Sequence, residues 1–144
     1  MGQALNYRDL PLYQKAREVV MEVNRLISTL PRTAQGRAIE GQLFRAAASV
    51  GANIAEGRGR HIGKEYLLFL YYARGSANEV DHWLHTLLDC KLCPSQQVQK
   101  ALDLNDEVLK MLSAASSSLR QKIEADMSGK GRLKEDEADY DFDL

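Results

Sequence analysis

A cluster of cationic side chains is the feature of the sequence with the clearest chemical meaning. Arg58, Arg60, His61 and Lys64 lie within seven residues of one another, in the segment AEGRGRHIGKE. Arginine presents fork-shaped donors that match phosphate oxygens, and the interleaved glycines allow positive φ and a close approach of the backbone to a ligand. The cluster therefore predicts a turn that binds phosphate groups, with a solvated charged surface as the alternative.

Three more arginines extend this basic region along the chain. Residues 31–64 hold six basic side chains and two acidic ones, so the positive charge is concentrated there. Before residue 124 the chain carries 16 Lys/Arg and 12 Asp/Glu, whereas residues 124–144 carry 3 and 8. We predict a nucleic-acid interface made of Arg37, Arg45, Arg58, Arg60, His61, Lys64 and Arg74. For Arg45 and Arg74, pairing with acids between helices is the alternative.

Two other spacings resemble metal or redox sites. Cys90 and Cys93 have the spacing of a redox pair or of half a zinc site, but the βαβ context of the first is absent and zinc needs two more ligands. Glu79 and His82 have the Glu-x-x-His spacing of di-iron bundles, yet a second such pair is missing from the sequence. We expect ordinary cysteines at a helix end, histidines that face solvent or another subunit, and no metal or cofactor.

Known sets of catalytic residues are likewise missing from the sequence. The sequence contains no Ser/His/Asp set, no Walker-type loop and no Rossmann turn. Asn53 and Glu56 are expected to be structural, fastening the turn by hydrogen bonds or by pairing of Glu56 with Lys64 or Arg60. We therefore expect a protein that is not an enzyme, with a metal-dependent bundle enzyme as the alternative.

Apolar residues recur at three- and four-residue intervals in four stretches, which is the period of amphipathic helices. The predicted helices run from an N-cap at Asp9 to about residue 30, then over about 35–56, 64–89 and 95–124, and Thr33 is a second candidate cap. Small residues between Ala46 and Ala55 predict a closely packed neighbouring helix. Short turns between long helices predict an all-α, antiparallel up-down-up-down four-helix bundle over residues 1–124.

The last part of the chain differs in composition from the rest. Residues 125–144 are charged and lack a periodic apolar face, which predicts a flexible acidic tail. We find no stretch of about 18 uncharged apolar residues and no secretory leader, so we expect no membrane association and a cytoplasmic location.

Several motifs in order along the chain resemble one known family. They are Asn6-Tyr-Arg-Asp-Leu10, Gln42-Leu-Phe-Arg45, Ser49-Val-Gly-Ala-Asn-Ile-Ala-Glu-Gly57, Lys64-Glu-Tyr-Leu and Arg74-Gly-Ser-Ala-Asn-Glu79. This pattern, from residue 6 to about 120, resembles the bacterial four-helix-bundle proteins encoded in intervening sequences of large-subunit ribosomal RNA genes (S23-type). That family is similar in turn to the accessory variability proteins of diversity-generating retroelements.

The resemblance implies an assembly and a set of partners. It implies a homopentameric ring of bundles that binds nucleic acid through a basic surface and assists a reverse transcriptase. The predicted function is therefore a non-enzymatic, oligomeric accessory protein that binds structured RNA or another nucleic acid. The alternative is a protein-interaction scaffold that docks a reverse transcriptase or other partner enzyme.

Overall fold

Four helices make up almost all of the structure, a computed structural model that describes residues 6–129. A short 3₁₀ helix, Tyr7–Asp9, precedes α1 (Pro11–Ile27), α2 (Ala34–Arg58), α3 (Gly63–Asp89) and α4 (Ser95–Ser128). No strand occurs between residues 6 and 129. The predicted all-α class is confirmed.

Of the two predicted N-caps, one caps a helix in the structure and the other does not. Thr33 caps α2, because its Oγ1 accepts a hydrogen bond from the backbone N–H of Gly36 at 3.1 Å. The predicted N-cap at Asp9 is wrong, since Asp9 ends the 3₁₀ helix, which is itself capped by Asn6. Helix α1 begins one residue later, with Leu10 at the cap position and Pro11 in the first turn, where a missing N–H is harmless.

Helices that follow one another in the sequence pack side by side, and α1 also packs against α4, which closes the bundle. Lys15 of α1 bridges to Glu107 of α4 with Nζ and Oε2 3.0 Å apart, and Ser49 of α2 lies opposite Ser76 of α3 with the two Oγ atoms 2.7 Å apart. These contacts fit helices that alternate in direction, so the predicted up-down-up-down bundle is confirmed. The α2–α3 turn, the start of α1 and the end of α4 lie at one end of it.

Close packing between α2 and α3 gives the bundle its most extensive internal contact. At Gly57, an added Cβ would come within 2.6 Å of the Cβ of Phe69 and 3.1 Å of Cδ2 of Tyr66. The expected positive φ at the turn glycines is wrong, because no glycine among residues 6–129 has a positive φ. Gly57 is required for the close approach of the two helices instead.

The core is apolar except for a few buried polar side chains. Its largest fully buried members include Leu43, Leu70, Leu84 and Leu112. Asn105 of α4 is only 1% exposed and donates through Nδ2 to the carbonyl oxygen of Ala77 on α3 at 2.9 Å. One polar bond therefore ties α3 to α4 inside the bundle.

The turn between α3 and α4 contains a strained residue. Lys91 has φ of 53°, the left-handed conformation that side chains with a Cβ disfavour, and the N–H of Leu92 bonds back to the carbonyl of Leu87 at 3.0 Å. This is the geometry in which glycine normally ends a helix.

Lys91→Gly is therefore expected to raise the free energy of unfolding by about 0.5–1 kcal/mol, the relief of strain exceeding the added flexibility of the unfolded chain. Urea unfolding followed by circular dichroism measures the change. Lys91→Ala is the matched control, because it removes the charge and keeps the strain. A glycine variant no more stable than the alanine variant would contradict the prediction.

The fourth helix is longer than the sequence pattern predicted. It continues to Ser128 rather than ending near Glu124, so the first residues of the predicted tail are helical. The rest of that predicted acidic tail, residues 130–144, lies outside the described residues.

Candidate nucleic-acid interface

Four of the predicted contact residues meet at the α2–α3 turn. Helix α2 ends at Arg58 and α3 begins at Gly63, which leaves residues 59–62 to reverse the chain. Arg60, His61 and Lys64 are exposed, and Arg58 is half-buried. The turn thus presents cationic side chains at one end of the bundle.

Arg60 is the most strongly positioned of these side chains. Its Nη2 donates to Oε1 of Glu56 one helical turn earlier at 2.7 Å, and its guanidinium lies 5.0 Å from the centre of the Phe69 ring. The predicted pairing of Glu56 with Arg60 is confirmed. Both partners are largely exposed, so the pair adds only about 0.5 kcal/mol to stability and serves mainly to orient the guanidinium.

Arg58 lies beneath the exposed residues, beside Tyr66. Tyr66 is 3% exposed, and its burial raises the pKa of its phenol, an effect that the positive charge of Arg58 partly opposes. The phenol therefore stays neutral and Arg58 is a supporting cation rather than a free one. Arg60, His61 and Lys64 form the accessible part of the turn, which we call the turn cluster.

Arg37 and Arg45 are placed on a different surface. Both line an open groove of about 920 Å³ beside α1 and α2, together with Ile27, Gly41 and Phe44. Arg37 lies 21 residues before Arg58 on the same helix, roughly 30 Å away along its axis at ~1.5 Å per residue. The structure does not bring these two arginines together with the turn cluster.

Arg74 is separate again. Its guanidinium lies 5.1 Å from the centre of the Tyr71 ring, one turn earlier on α3. Ten residues separate it from Lys64, or roughly 15 Å along the helix. The seven predicted contact residues therefore occupy three places: four lie at the α2–α3 turn, Arg37 and Arg45 lie in the groove, and Arg74 lies by itself on α3.

The cysteines and histidines between residues 6 and 129 do not come together into a metal site. Cys90 is exposed and Cys93 is half-buried, with burial raising the pKa of the Cys93 thiol. His82 and His85 are exposed, as predicted, and Nε2 of His85 lies 3.5 Å from Oδ1 of Asp81. Between residues 6 and 129 no group of three or more His, Cys, Asp or Glu side chains could hold a metal ion.

Asn53 remains within its own helix. Its Nδ2 donates to the carbonyl of Ser49 at 2.9 Å, so it stabilises α2 and does not reach the turn.

None of the helices between residues 6 and 129 has the length and apolar character that a membrane span requires.

The groove that contains Arg37 and Arg45 was not foreseen from the sequence. Phe44 is 40% exposed within it, and Gly41 has open space where a Cβ would stand. A signal for it was available, because a phenylalanine and a glycine on the polar side of a helix are unusual.

Comparison with known proteins gives one family and one fold. The family model described as 23S rRNA-intervening sequence protein matches residues 8–114. A crystal structure of a protein of unknown function from the S23 ribosomal protein family of Bacteroides thetaiotaomicron superposes with a TM-score of 0.67 at 23% identity, covering 72% of this chain and 95% of that one. Among curated proteins none matches.

Proposed function

The chain belongs to the family of 23S rRNA-intervening sequence proteins, and from this premise we propose that it is a non-enzymatic, homo-oligomeric protein that binds structured RNA. The turn cluster is the proposed contact. One observation supports this choice: three exposed basic side chains share one turn, and Glu56 and Phe69 hold the guanidinium of Arg60 in place. Oligomerisation repeats that turn in one particle, so several weak phosphate contacts act together.

The expected recognition is electrostatic and depends on RNA shape more than on sequence. Arginine and lysine contact phosphates without reading bases, and each contact releases counterions. Ile62 is 39% exposed between the cationic side chains and offers no hydrogen bond to a base. Binding is therefore expected to be salt-sensitive and tolerant of changes in the RNA sequence.

The double variant Arg60→Ala/Lys64→Ala is expected to weaken binding to a fluorescently labelled RNA stem-loop about tenfold or more near 0.1 M salt. The slope of log K against log salt should fall by about 1–2 per binding subunit, because two phosphate contacts are lost. Fluorescence anisotropy over 50–200 mM salt measures both quantities. Adding Arg58→Ala should weaken binding further.

A matched control removes the same charge at the opposite end of the bundle. Arg32→Ala/Lys91→Asn deletes two exposed cations there, and asparagine tolerates the left-handed conformation of residue 91. This variant should bind the stem-loop like the unmodified protein. Equal weakening by both double variants would show a general charge effect and remove the turn cluster from the site.

The same experiments separate the alternative role. An adaptor for a reverse transcriptase or another enzyme would leave RNA unshifted at moderate salt. It would instead retain a protein partner after nuclease treatment. That pair of results would replace the RNA-binding proposal with the scaffold.

A further inference from the structure

An exposed patch of large apolar side chains adjoins the turn cluster on α3. Tyr72 is 51% exposed, and Leu68, one helical turn earlier, is 45% exposed. Phe69 is half-buried beside them. We call these three residues the aromatic patch. Contiguous exposed apolar side chains on a small domain often mark a binding site.

Contacts between rings connect the aromatic patch to the turn cluster. The rings of Phe69 and Tyr72 pack edge to face with their centres 5.5 Å apart, and the guanidinium carbon of Arg60 lies 5.0 Å from the centre of the Phe69 ring. Because both distances end at the same ring, the guanidinium and the Tyr72 ring are no more than about 10.5 Å apart. A single nucleotide can span such a distance, with its phosphate at Arg60 and its base at Tyr72.

Lys64 faces the same region of solvent as the aromatic patch. Lys64, Leu68 and Tyr72 follow one another at intervals of four residues along α3, and all three are exposed. Side chains at this spacing lie on one side of a helix. Lys64 and Tyr72 are roughly 12 Å apart along the axis at ~1.5 Å per residue. A nucleic-acid strand along this side of α3 would therefore meet a phosphate donor first and an apolar surface next.

The chemistry of this surface selects between forms of RNA. In a double-stranded segment the bases stack on one another, whereas unpaired bases can turn outward and stack on aromatic side chains. Such stacking tolerates changes of sequence, because every base has a π-face. Phe69 packs against one part of Tyr72, and about half of Tyr72 remains open to solvent. The open part offers a surface for one base.

We infer that Tyr72 stacks on an unpaired base of a nucleotide whose phosphate is held by Arg60 and Lys64. Phe69 is a positioning residue, since it contacts both the guanidinium of Arg60 and the ring of Tyr72. The preferred ligand is then an RNA stem with unpaired nucleotides beside it rather than a continuous duplex. This inference rests on the proposed binding of structured RNA and deepens it by naming the class of RNA.

Two RNA probes that differ only in their bases test the inference. Both are fluorescently labelled duplexes with a short single-stranded extension, and in one of them the extension is abasic, so the number of phosphates is the same. The unmodified full chain should bind the probe with bases about fivefold more tightly or better, the usual effect of stacking one base on an aromatic ring. Fluorescence anisotropy near 0.1 M salt measures this preference.

Variants of Tyr72 identify the residue responsible. Tyr72→Ala should remove the preference, and Tyr72→Phe should keep it because the ring remains. The slope of log K against log salt should stay unchanged in Tyr72→Ala, since no phosphate contact is lost, whereas Arg60→Ala/Lys64→Ala should lower it. Phe44→Ala is the matched control, because it removes a ring that is 40% exposed in the groove of α2. This variant should keep the preference.

Equal binding of the two probes by the unmodified protein would overturn the inference, and so would a preference that survives Tyr72→Ala. If both probes still bind in a salt-sensitive way that requires Arg60 and Lys64, the proposed RNA site stands without the stacking. Failure of both probes to bind would overturn both proposals. Native mass spectrometry gives the particle mass of each variant. A smaller particle for Tyr72→Ala would assign the aromatic patch to a contact between copies and would also overturn the inference.

Discussion

Replacing Asn105 with aspartate is expected to lower the free energy of unfolding by about 3–5 kcal/mol at pH 7, the usual consequence of an uncompensated buried charge. The side chain is 1% exposed, and its Oδ1 has no hydrogen-bond partner between residues 6 and 129. Asn105→Asp keeps the shape of the side chain while replacing the Nδ2 that donates to Ala77 with an oxygen. When ionised, that oxygen places a negative charge against the same carbonyl.

The loss should depend on pH with a definite sign. Burial favours the neutral carboxyl, so its pKa in the folded state is raised above the value of about 3.9 that it has in the unfolded chain. The folded variant therefore binds the proton more tightly than the unfolded variant. Relative to the unmodified protein, the deficit shrinks as pH falls through the folded-state pKa and is smallest below about pH 4. There the protonated group can donate to Ala77 again.

Denaturant unfolding of both proteins between pH 4 and pH 8, at one protein concentration, measures this dependence. Asn105→Leu is the control of similar volume, because it removes the unpaired Oδ1 and the donor together. It should cost less than Asn105→Asp at pH 7, because it buries neither a charge nor an unpaired oxygen and loses only the bond to Ala77. A deficit for Asn105→Asp that does not vary with pH would contradict buried ionisation as its cause.

The bundle itself was largely predictable from periodicity. Apolar residues at helical spacing gave the number of helices and their order, and α3 begins within one residue of its predicted start. The start of α1 was predicted wrongly because two nearby residues compete as N-caps. Asp9 can cap a helix, but Asn6 caps a preceding 3₁₀ turn, and this moves the start of α1 to Pro11.

The turn cluster was predictable because its residues are neighbours in sequence. The pairing of Glu56 with Arg60 follows from the four-residue spacing on a helix. Arg37, Arg45 and Arg74 were assigned to the same interface because they share a charge. Their separation depends on the length of α2 and on the side of each helix that they occupy, neither of which follows from composition.

The buried position of Asn105 follows from helical spacing, but its hydrogen-bond partner does not. It lies seven residues after Val98 and three before Val108, and both valines are buried in α4. Its place on the apolar stripe was therefore visible in the sequence. Its partner was not, because the carbonyl of Ala77 becomes available only when α3 and α4 pack at this level.

Gly57→Ala is expected to lower the free energy of unfolding by about 2 kcal/mol, although alanine is the better helix former. Replacing a helical glycine with alanine normally gains about 1 kcal/mol. At residue 57 the new methyl group would stand 2.6 Å from the Cβ of Phe69, an atom fixed to the backbone of α3. The two helices must then separate, and such overpacking typically costs about 1–3 kcal/mol, occasionally more. Denaturant unfolding followed by circular dichroism measures the loss.

Gly41→Ala distinguishes this packing effect from helix propensity. Apart from the neighbouring backbone of its own helix, nothing among the described residues lies within 4 Å of its added Cβ, so the variant should be more stable than the unmodified protein by about 0.5–1 kcal/mol. Opposite signs for the two glycines would identify helix contact as the cause at Gly57. Arg58 and Arg60 lie one and three residues after Gly57, so separation of α2 and α3 should also weaken the binding of RNA to the Gly57→Ala variant. The Gly41→Ala variant should bind RNA like the unmodified protein. A stabilising Gly57→Ala would show that α2 and α3 can move apart here without cost.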